Sequence, residues 1–170
     1  PILDMKHKSG VGALPIPVVH GMTLGELAQM INGENWLNDS MKVDLTVIPC
    51  KNYTHQTLYR LPIAPSPNLR NMLSIYLYPS VCLFEATPVS LGRGTEKPFL
   101  CYGHPNFNAP RTEPSIYGSA ITFQPNQSTQ KGRICDGVDL SSMTEEEARK
   151  VGFSLRYLLD AYNHLHMDNY

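Results

Sequence analysis

One carboxylate, Glu85, stands out by its place in the sequence. No Asp or Glu occurs from Leu45 to Phe84, a stretch of 40 residues, and Glu85 then follows the apolar run Val-Cys-Leu-Phe. This run predicts a buried strand over 81–84, with an acid at its end. Burial of that kind raises the pKa of a carboxyl group and suits the group to proton donation. The alternative, that Glu85 only accepts backbone hydrogen bonds in the next loop, stays open.

His20 is the histidine whose surroundings the sequence defines best. Thr23 and Glu26 have the spacing of a capping box, which predicts a short helix that ends at Gly33. His20 therefore lies just before a helix N-terminus. An imidazole exchanges protons near neutral pH, so His20 is a candidate base or orienting group. The alternative is that its ring caps the helix or packs against its end.

Two loops carry candidate ligand-binding side chains. In the first, Gly92 to Thr95, two glycines flank Arg93, so the backbone can approach a ligand and the guanidinium can bind a carboxylate through two hydrogen bonds. In the second, prolines stiffen a segment that presents Ser66 and Asn68. An ordinary turn with a solvated arginine, and a structural loop over the core, are the respective alternatives.

Composition excludes several classes of function. The net charge is -1 and no basic stripe is present, so we expect no nucleic-acid binding. No apolar run approaches the length of a membrane span. No His, Asp or Glu cluster has metal-ligand spacing, and the four cysteines lie too far apart for a zinc knuckle, so we expect no metal and no cofactor. Buried free thiols are the favoured state of these cysteines, with one disulfide left open for an exported protein.

The elements predict an α+β fold: a mixed sheet with a short N-terminal-side helix and a long C-terminal helix packed on it. A second capping box, Thr144 to Glu147, begins the long helix. Its apolar positions follow a helical period: Ala148, Val151, Leu155, Leu158, Leu159, Tyr162 and Leu165. Strands are predicted at 43–49, 81–84, 99–102, 120–124 and 138–140.

These segments together resemble one known family. Residues 15–28 read PIPVVHGMTLGELA and resemble the P-I-P-x-x-H-G-M-T-x-G-E-L-A signature of the NamZ exo-β-N-acetylmuramidase family. Further matches follow in the family's order: the S-P-N-L loop at 66–69, then Tyr78-Pro79, Cys82-Leu83-Phe84-Glu85, Gly92-Arg93-Gly94-Thr95, Lys97-Pro98-Phe99, and Cys135 with Gly137-Val138. Ala86 departs from the pattern, because the family usually has Gly after the Glu.

The resemblance implies an exported exo-acting glycoside hydrolase that releases N-acetylmuramic acid from the non-reducing end of peptidoglycan fragments. It implies a preceding Rossmann-like N-terminal domain, with residues 1–17 as lead-in and 18–170 as C-terminal domain. The implied partners are muropeptides and that N-terminal domain. The implied location is the periplasm or the cell exterior, with or without a lipid anchor. On this basis we expect the chain alone to be inactive or nearly so.

By position, the resemblance makes His20 and Glu85 the catalytic candidates. It places Ser66, Asn68, Arg93 and Thr95 around the sugar, and we hypothesise that Arg93 meets the lactyl carboxylate of muramic acid. The second catalytic group stays open: it lies on the N-terminal domain, or His20 fills the role. Two other functions also stay open, a non-catalytic peptidoglycan-binding module and a docking domain without sugar affinity.

Overall fold

A computed structural model describes residues 2–108 and 118–165 of the protein. The chain forms two compact units, Pro1–Tyr59 and Arg60–Tyr170. Within the described residues the α-helices and strands are α1 (Leu24–Gly33), α2 (Met72–Val81), α3 (Glu145–Val151), α4 (Arg156–His164), β1 (Cys101–His104), β2 (Ser119–Phe123) and β3 (Cys135–Asp139).

The first unit contains α1 and extended segments. The predicted capping box is confirmed, because the Thr23 hydroxyl accepts from the Glu26 N–H at 3.2 Å and the Glu26 carboxylate accepts from the Thr23 N–H at 2.7 Å. The lead-in folds back, with bridges from Ile2 to Pro17 and from Ser9 to Gly12. It shares one unit with α1, whereas the domain boundary at residue 17 stays a prediction.

The strand predicted at 43–49 is wrong. This segment has no strand pairing, and Val43 is instead held by the Asn32 side chain at the end of α1. The Asn32 amide donates to the Val43 carbonyl and accepts from the Val43 N–H, both at 3.0 Å. A side chain therefore satisfies the backbone groups that a neighbouring strand would otherwise bond.

The sheet of the second unit is antiparallel, with strand order β1-β3-β2 among the described residues. The expected mixed sheet is therefore corrected: both strand pairs that the structure describes are antiparallel. Gly103 pairs with Gly137 across β1 and β3, and a Cβ on Gly137 would lie 2.6 Å from the Gly103 Cα. Glycine at this pair permits the close approach of the two strands.

The strand predicted at 81–84 is also wrong. α2 begins with Asn71 as its N-cap, runs through Pro79, and continues as a 3₁₀ helix over Cys82–Ala86. Along α2 and this 3₁₀ helix, one buried apolar face recurs at helical spacing: Leu73, Leu77, Val81 and Phe84. Packing of this face against the core outweighs the local strand pattern.

The long C-terminal helix is two helices, α3 and α4. Gly152 separates them with φ 59° and ψ -147°, a conformation that essentially only glycine adopts. The break changes which face is buried: Tyr157 and Ala161 pack inside, whereas Leu155 and Leu159 are exposed.

The α+β fold class is confirmed by helices that segregate from an antiparallel sheet. Aromatic residues join the layers, since Tyr102 of β1 stacks on Phe84 and meets the Tyr157 ring of α4 edge-on. Within residues 2–108 and 118–165, no helix has the length and apolar character needed to cross a membrane.

Candidate functional site

Glu85 lies in the 3₁₀ helix that follows α2, not at the end of a strand. Its neighbour Phe84 is fully buried and anchors this turn, whereas the Glu85 side chain is 38% exposed. The core therefore fixes the backbone of Glu85 and leaves its carboxylate at the surface. Ala86 is exposed and has no positive φ, so its Cβ is accommodated.

The loop that carries Arg93 is a tight turn. Gly92 and Gly94 have φ of +67° and +80°, which favours glycine at both positions. The Thr95 hydroxyl donates to the Gly92 carbonyl at 2.6 Å and accepts from the Lys97 N–H at 3.0 Å. Thr95 therefore shapes the loop, and its predicted contact with a sugar stays a prediction.

Glu85 and Arg93 meet as an ion pair. The Arg93 Nη2 donates to the Glu85 Oε1, and the guanidinium lies over the Phe99 ring at 4.9 Å from the ring centre. Both contacts fix the plane of the guanidinium. Two of the predicted site residues are thus brought together.

A small cleft opens beside this ion pair. Its volume is about 80 Å³, and it is lined by Glu85, Val89, Leu91, Arg93, Ser128 and Thr129. The sequence analysis did not single out Ser128 or Thr129, because a polar stretch after a strand is typical of any surface loop. The arrangement offers a carboxylate, a cation and two hydroxyls to a polar ligand.

Ser66 and Asn68 lie on one turn. The Ser66 hydroxyl accepts from the Asn68 N–H at 3.3 Å, and the Ser66 carbonyl accepts from the Leu69 N–H at 3.0 Å. Arg70 pairs with Glu96 at 3.6 Å, which makes this turn a neighbour of the Arg93 loop. In the described residues no hydrogen bond joins Ser66 or Asn68 directly to Glu85 or Arg93.

His20 belongs to the first unit and lines a mainly apolar groove of about 740 Å³. Its Nδ1 accepts a hydrogen bond of 3.1 Å from the Met22 N–H. The neutral ring therefore carries its proton on Nε2, which is left as a donor. His20 and Glu85 lie in different units.

The described residues contain no group of three or more His, Cys, Asp or Glu side chains that could hold a metal ion. All four cysteines are free. Burial raises the pKa of the Cys101 thiol to about 12 and that of the Cys135 thiol to about 11. Both thiols are protonated at neutral pH, so neither is an activated nucleophile.

Comparison with known proteins identifies the chain with a glycosidase family. Residues 1–73 match the family model "Exo-beta-N-acetylmuramidase NamZ, N-terminal", and residues 76–170 match "Exo-beta-N-acetylmuramidase NamZ, C-terminal". The peptidoglycan β-N-acetylmuramidase NamZ of Bacillus subtilis (strain 168) is 38% identical over 169 residues, which cover 91% of this chain and 40% of that relative.

Two crystal structures of DUF1343 family proteins from Bacteroides fragilis NCTC 9343 are also similar. The first is 59% identical, with a TM-score of 0.88, and the match covers 99% of this chain and 47% of that one. The second is 22% identical, with a TM-score of 0.65 and coverage of 96% and 48%, and shares the fold. This chain spans less than half the length of each of these relatives. The chain belongs to the NamZ exo-β-N-acetylmuramidase family.

Proposed function

We propose that this chain forms part of the active site of an exo-acting muramidase that releases N-acetylmuramic acid from the non-reducing end of peptidoglycan fragments. One observation carries the proposal. Glu85, the family-matched carboxylate, meets Arg93 beside a polar cleft. The cleft therefore supplies one of the two carboxyl groups that glycoside hydrolysis normally uses, together with a cation that can recognise an acidic sugar.

In the proposed reaction Glu85 acts as a carboxylate. Its contact with Arg93 is that of an ion pair, so this geometry favours a charge-stabilising or base role over the proton donation expected from a buried strand end. Glycoside hydrolysis normally uses two carboxyl groups that flank the bond. We propose that the second group comes from the rest of the full-length protein, with the His20 Nε2–H as an orienting donor.

Arg93 is proposed to bind the lactyl carboxylate, the group that distinguishes muramic acid from glucosamine. Arginine donates through five N–H groups, so Arg93 can hold Glu85 and still bind a second acceptor. Ser66 and Asn68 are proposed to contact hydroxyl groups of the sugar, because their turn neighbours the Arg93 loop. A contact from Thr95 is proposed through its backbone carbonyl, since its hydroxyl and its N–H are both engaged within the loop.

Export, and a preceding segment that completes a Rossmann-like N-terminal domain, are part of the same proposal, and residues 1–73 match the family's N-terminal model. None of the described side chains from residue 2 to residue 59 is buried, although many are apolar. Apolar surface of this extent is typical of a face that packs against another domain. Because peptidoglycan lies outside the cytoplasmic membrane, we propose that the full-length protein acts in the periplasm or outside the cell.

The test is hydrolysis of a chromogenic β-N-acetylmuramide by the full-length protein and its Glu85→Gln variant. We expect the variant to lose at least about 10³-fold in kcat while it keeps its fold and binds the sugar at least as tightly as the wild type does. Glu96→Gln is the matched control, because the Glu96 side chain is 98% exposed and contacts only Arg70 in the described ion pairs. The control should retain wild-type activity to within about twofold.

Other outcomes assign the chain to the alternative functions. Full activity in Glu85→Gln would mean that this chain only binds substrate and that the catalytic groups lie in the rest of the full-length protein. A wild-type protein that binds muropeptides without hydrolysing them would be a peptidoglycan-binding module. A protein that does neither would retain only the docking role.

A further inference from the structure

The loop Asn126–Gly132 holds an unusual conformation. Ser128 and Gln130 have φ of +66° and +64°, which non-glycine residues rarely adopt. The Gln130 side chain donates to the Pro88 carbonyl at 2.8 Å, and the Asn126 N–H donates to the Gly94 carbonyl at 3.3 Å. The loop is therefore tied to the Arg93 loop and to the segment that follows Glu85. Strained backbone of this kind is common at binding sites.

This loop presents two unused hydroxyls to the cleft. Ser128 and Thr129 line it together with Glu85 and Arg93. In the described part of the chain, neither hydroxyl has an intramolecular hydrogen-bond partner, whereas the hydroxyl of Thr95 is engaged within its own loop. Both O–H groups are available to donate to a ligand.

Arg93 has donors left for the same ligand. Glu85 occupies one terminal nitrogen and Phe99 lies against the guanidinium face. Over residues 2–108 and 118–165, no further acceptor is bonded to the remaining N–H groups. Arg93 and the two hydroxyls together form a set of donors around one small space.

Charge and size restrict the ligand. The space of about 80 Å³ suits a small polar group rather than a sugar ring. A carboxylate accepts roughly four hydrogen bonds and matches a guanidinium edge with two hydroxyls. Glu85 would repel such a group, and Arg93 is already partly neutralised. The uncharged donors of Ser128 and Thr129 offset that repulsion without adding negative charge.

We infer that Ser128 and Thr129 complete, with Arg93, the subsite that holds the carboxylate-bearing substituent of the sugar. The inference rests on the proposed function and assigns two substrate-binding residues to it. It also predicts that Glu85 opposes binding of this substituent, so that removal of the Glu85 charge tightens it.

The test is binding of N-acetylmuramic acid and N-acetylglucosamine to the full-length protein, measured by calorimetry or ligand-observed NMR. The double variant Ser128→Ala/Thr129→Val should bind N-acetylmuramic acid about tenfold more weakly, because two hydrogen bonds to a charged group are lost. Its affinity for N-acetylglucosamine should change by less than about twofold. Glu85→Gln should bind N-acetylmuramic acid a few-fold more tightly, by roughly the repulsion it removes. Ser142→Ala, an exposed hydroxyl away from the cleft lining, should match wild type.

Three outcomes overturn the inference: equal loss of both sugars in the double variant, no loss of either, or a wild-type protein that binds neither. Hydrolysis measured in parallel separates this inference from the proposed function. Wild-type muramidase activity with unaltered binding in the double variant refutes the subsite alone. Selective loss of N-acetylmuramic acid in a protein without muramidase activity refutes the proposed function alone.

Discussion

At the residue scale, the chemistry of this site depends on which atoms of each side chain are already engaged. Glu85 shares one oxygen with Arg93, and Arg93 keeps further donors. His20 uses Nδ1 to accept from the Met22 N–H and leaves Nε2–H as a donor. In the neutral tautomer His20 therefore suits a hydrogen bond that orients another group, and it does not suit proton removal through Nε2.

Substitution of His20 can distinguish the roles of its two ring nitrogens. Asparagine can still accept from the Met22 N–H through its side-chain oxygen but lacks the distal donor. If the Nε2–H serves catalysis, His20→Asn in the full-length protein should lower kcat by about 10²-fold or more with unchanged stability. A structural cap predicts the reverse, since His20→Asn would then keep activity and only His20→Ala would lose stability. Thermal unfolding and muramide hydrolysis measure the two effects.

The sequence nominated some residues of the cleft, among them Glu85 and Arg93, and missed others. Glu85 and Arg93 lie eight positions apart, and a short loop returns one to the other. Ser128 and Thr129 carry no local signal, because they reach the cleft only through pairing of β2 with β3 and the turn between them. Long-range pairing of this kind depends on the whole sheet. The sequence of a polar loop therefore does not show that the loop lies at the cleft.

At the scale of elements, the starts of α1 and α3 were predictable, whereas the break inside the predicted long C-terminal helix was not. The capping boxes at Thr23 and Thr144 are local patterns, and both are confirmed. The break at Gly152 is not local, since an isolated glycine is tolerated inside many helices. Ser80 in α2 fixes this break: its hydroxyl donates to the Gly152 carbonyl at 3.2 Å and accepts from the Ser154 N–H at 2.9 Å.

Removal of the Ser80 hydroxyl should destabilise the second unit. Ser80 is 2% exposed, and Ser80→Ala removes the partner of the Ser154 N–H and of the Gly152 carbonyl. We expect a loss of about 1 kcal/mol in the free energy of unfolding, measured by denaturant titration. Ser142→Ala, at an exposed position, is the control and should change it by less than about 0.5 kcal/mol. Equal effects would show that the bridge between α2 and the turn contributes nothing.

The contact between the Arg93 loop and the loop Asn126–Gly132 gives a further prediction. A Cβ on Gly94 would collide with the Asn126 side chain and lie 2.7 Å from the Gln127 N. Gly132 has a similar φ, +76° against +80°, but open space around it. Gly132→Ala should therefore cost only the backbone strain, about 1 kcal/mol, whereas Gly94→Ala should cost about 3 kcal/mol or more and reduce sugar binding. Equal losses in unfolding experiments would contradict a packed junction between these loops.

At the scale of the whole molecule, the two units differ in how they bury apolar side chains. The second unit has a continuous core that joins α2, the sheet and the two C-terminal helices. In the first unit, the described residues include none that is buried, and Leu24 and Ile48 are 86% and 88% exposed. A ten-residue helix such as α1 is marginal in water without a packed face. The capping box and apolar spacing of α1 were therefore predictable from the sequence. The surface that packs on its apolar face was not, because no local pattern encodes it.

Hydrogen exchange tests whether α1 depends on the rest of the full-length protein. In the isolated 170-residue chain, amides of α1 should exchange near the rate of a frayed helix, while those of α2 stay protected by the core. In the full-length protein, protection of α1 should rise by at least about tenfold, because the proposed N-terminal domain would bury its apolar face. The α2 amides serve as the internal control, since their core is complete within the second unit. Equal protection of α1 in both proteins would mean that the first unit is stable by itself. The proposed N-terminal domain would then not be what packs on its apolar surface.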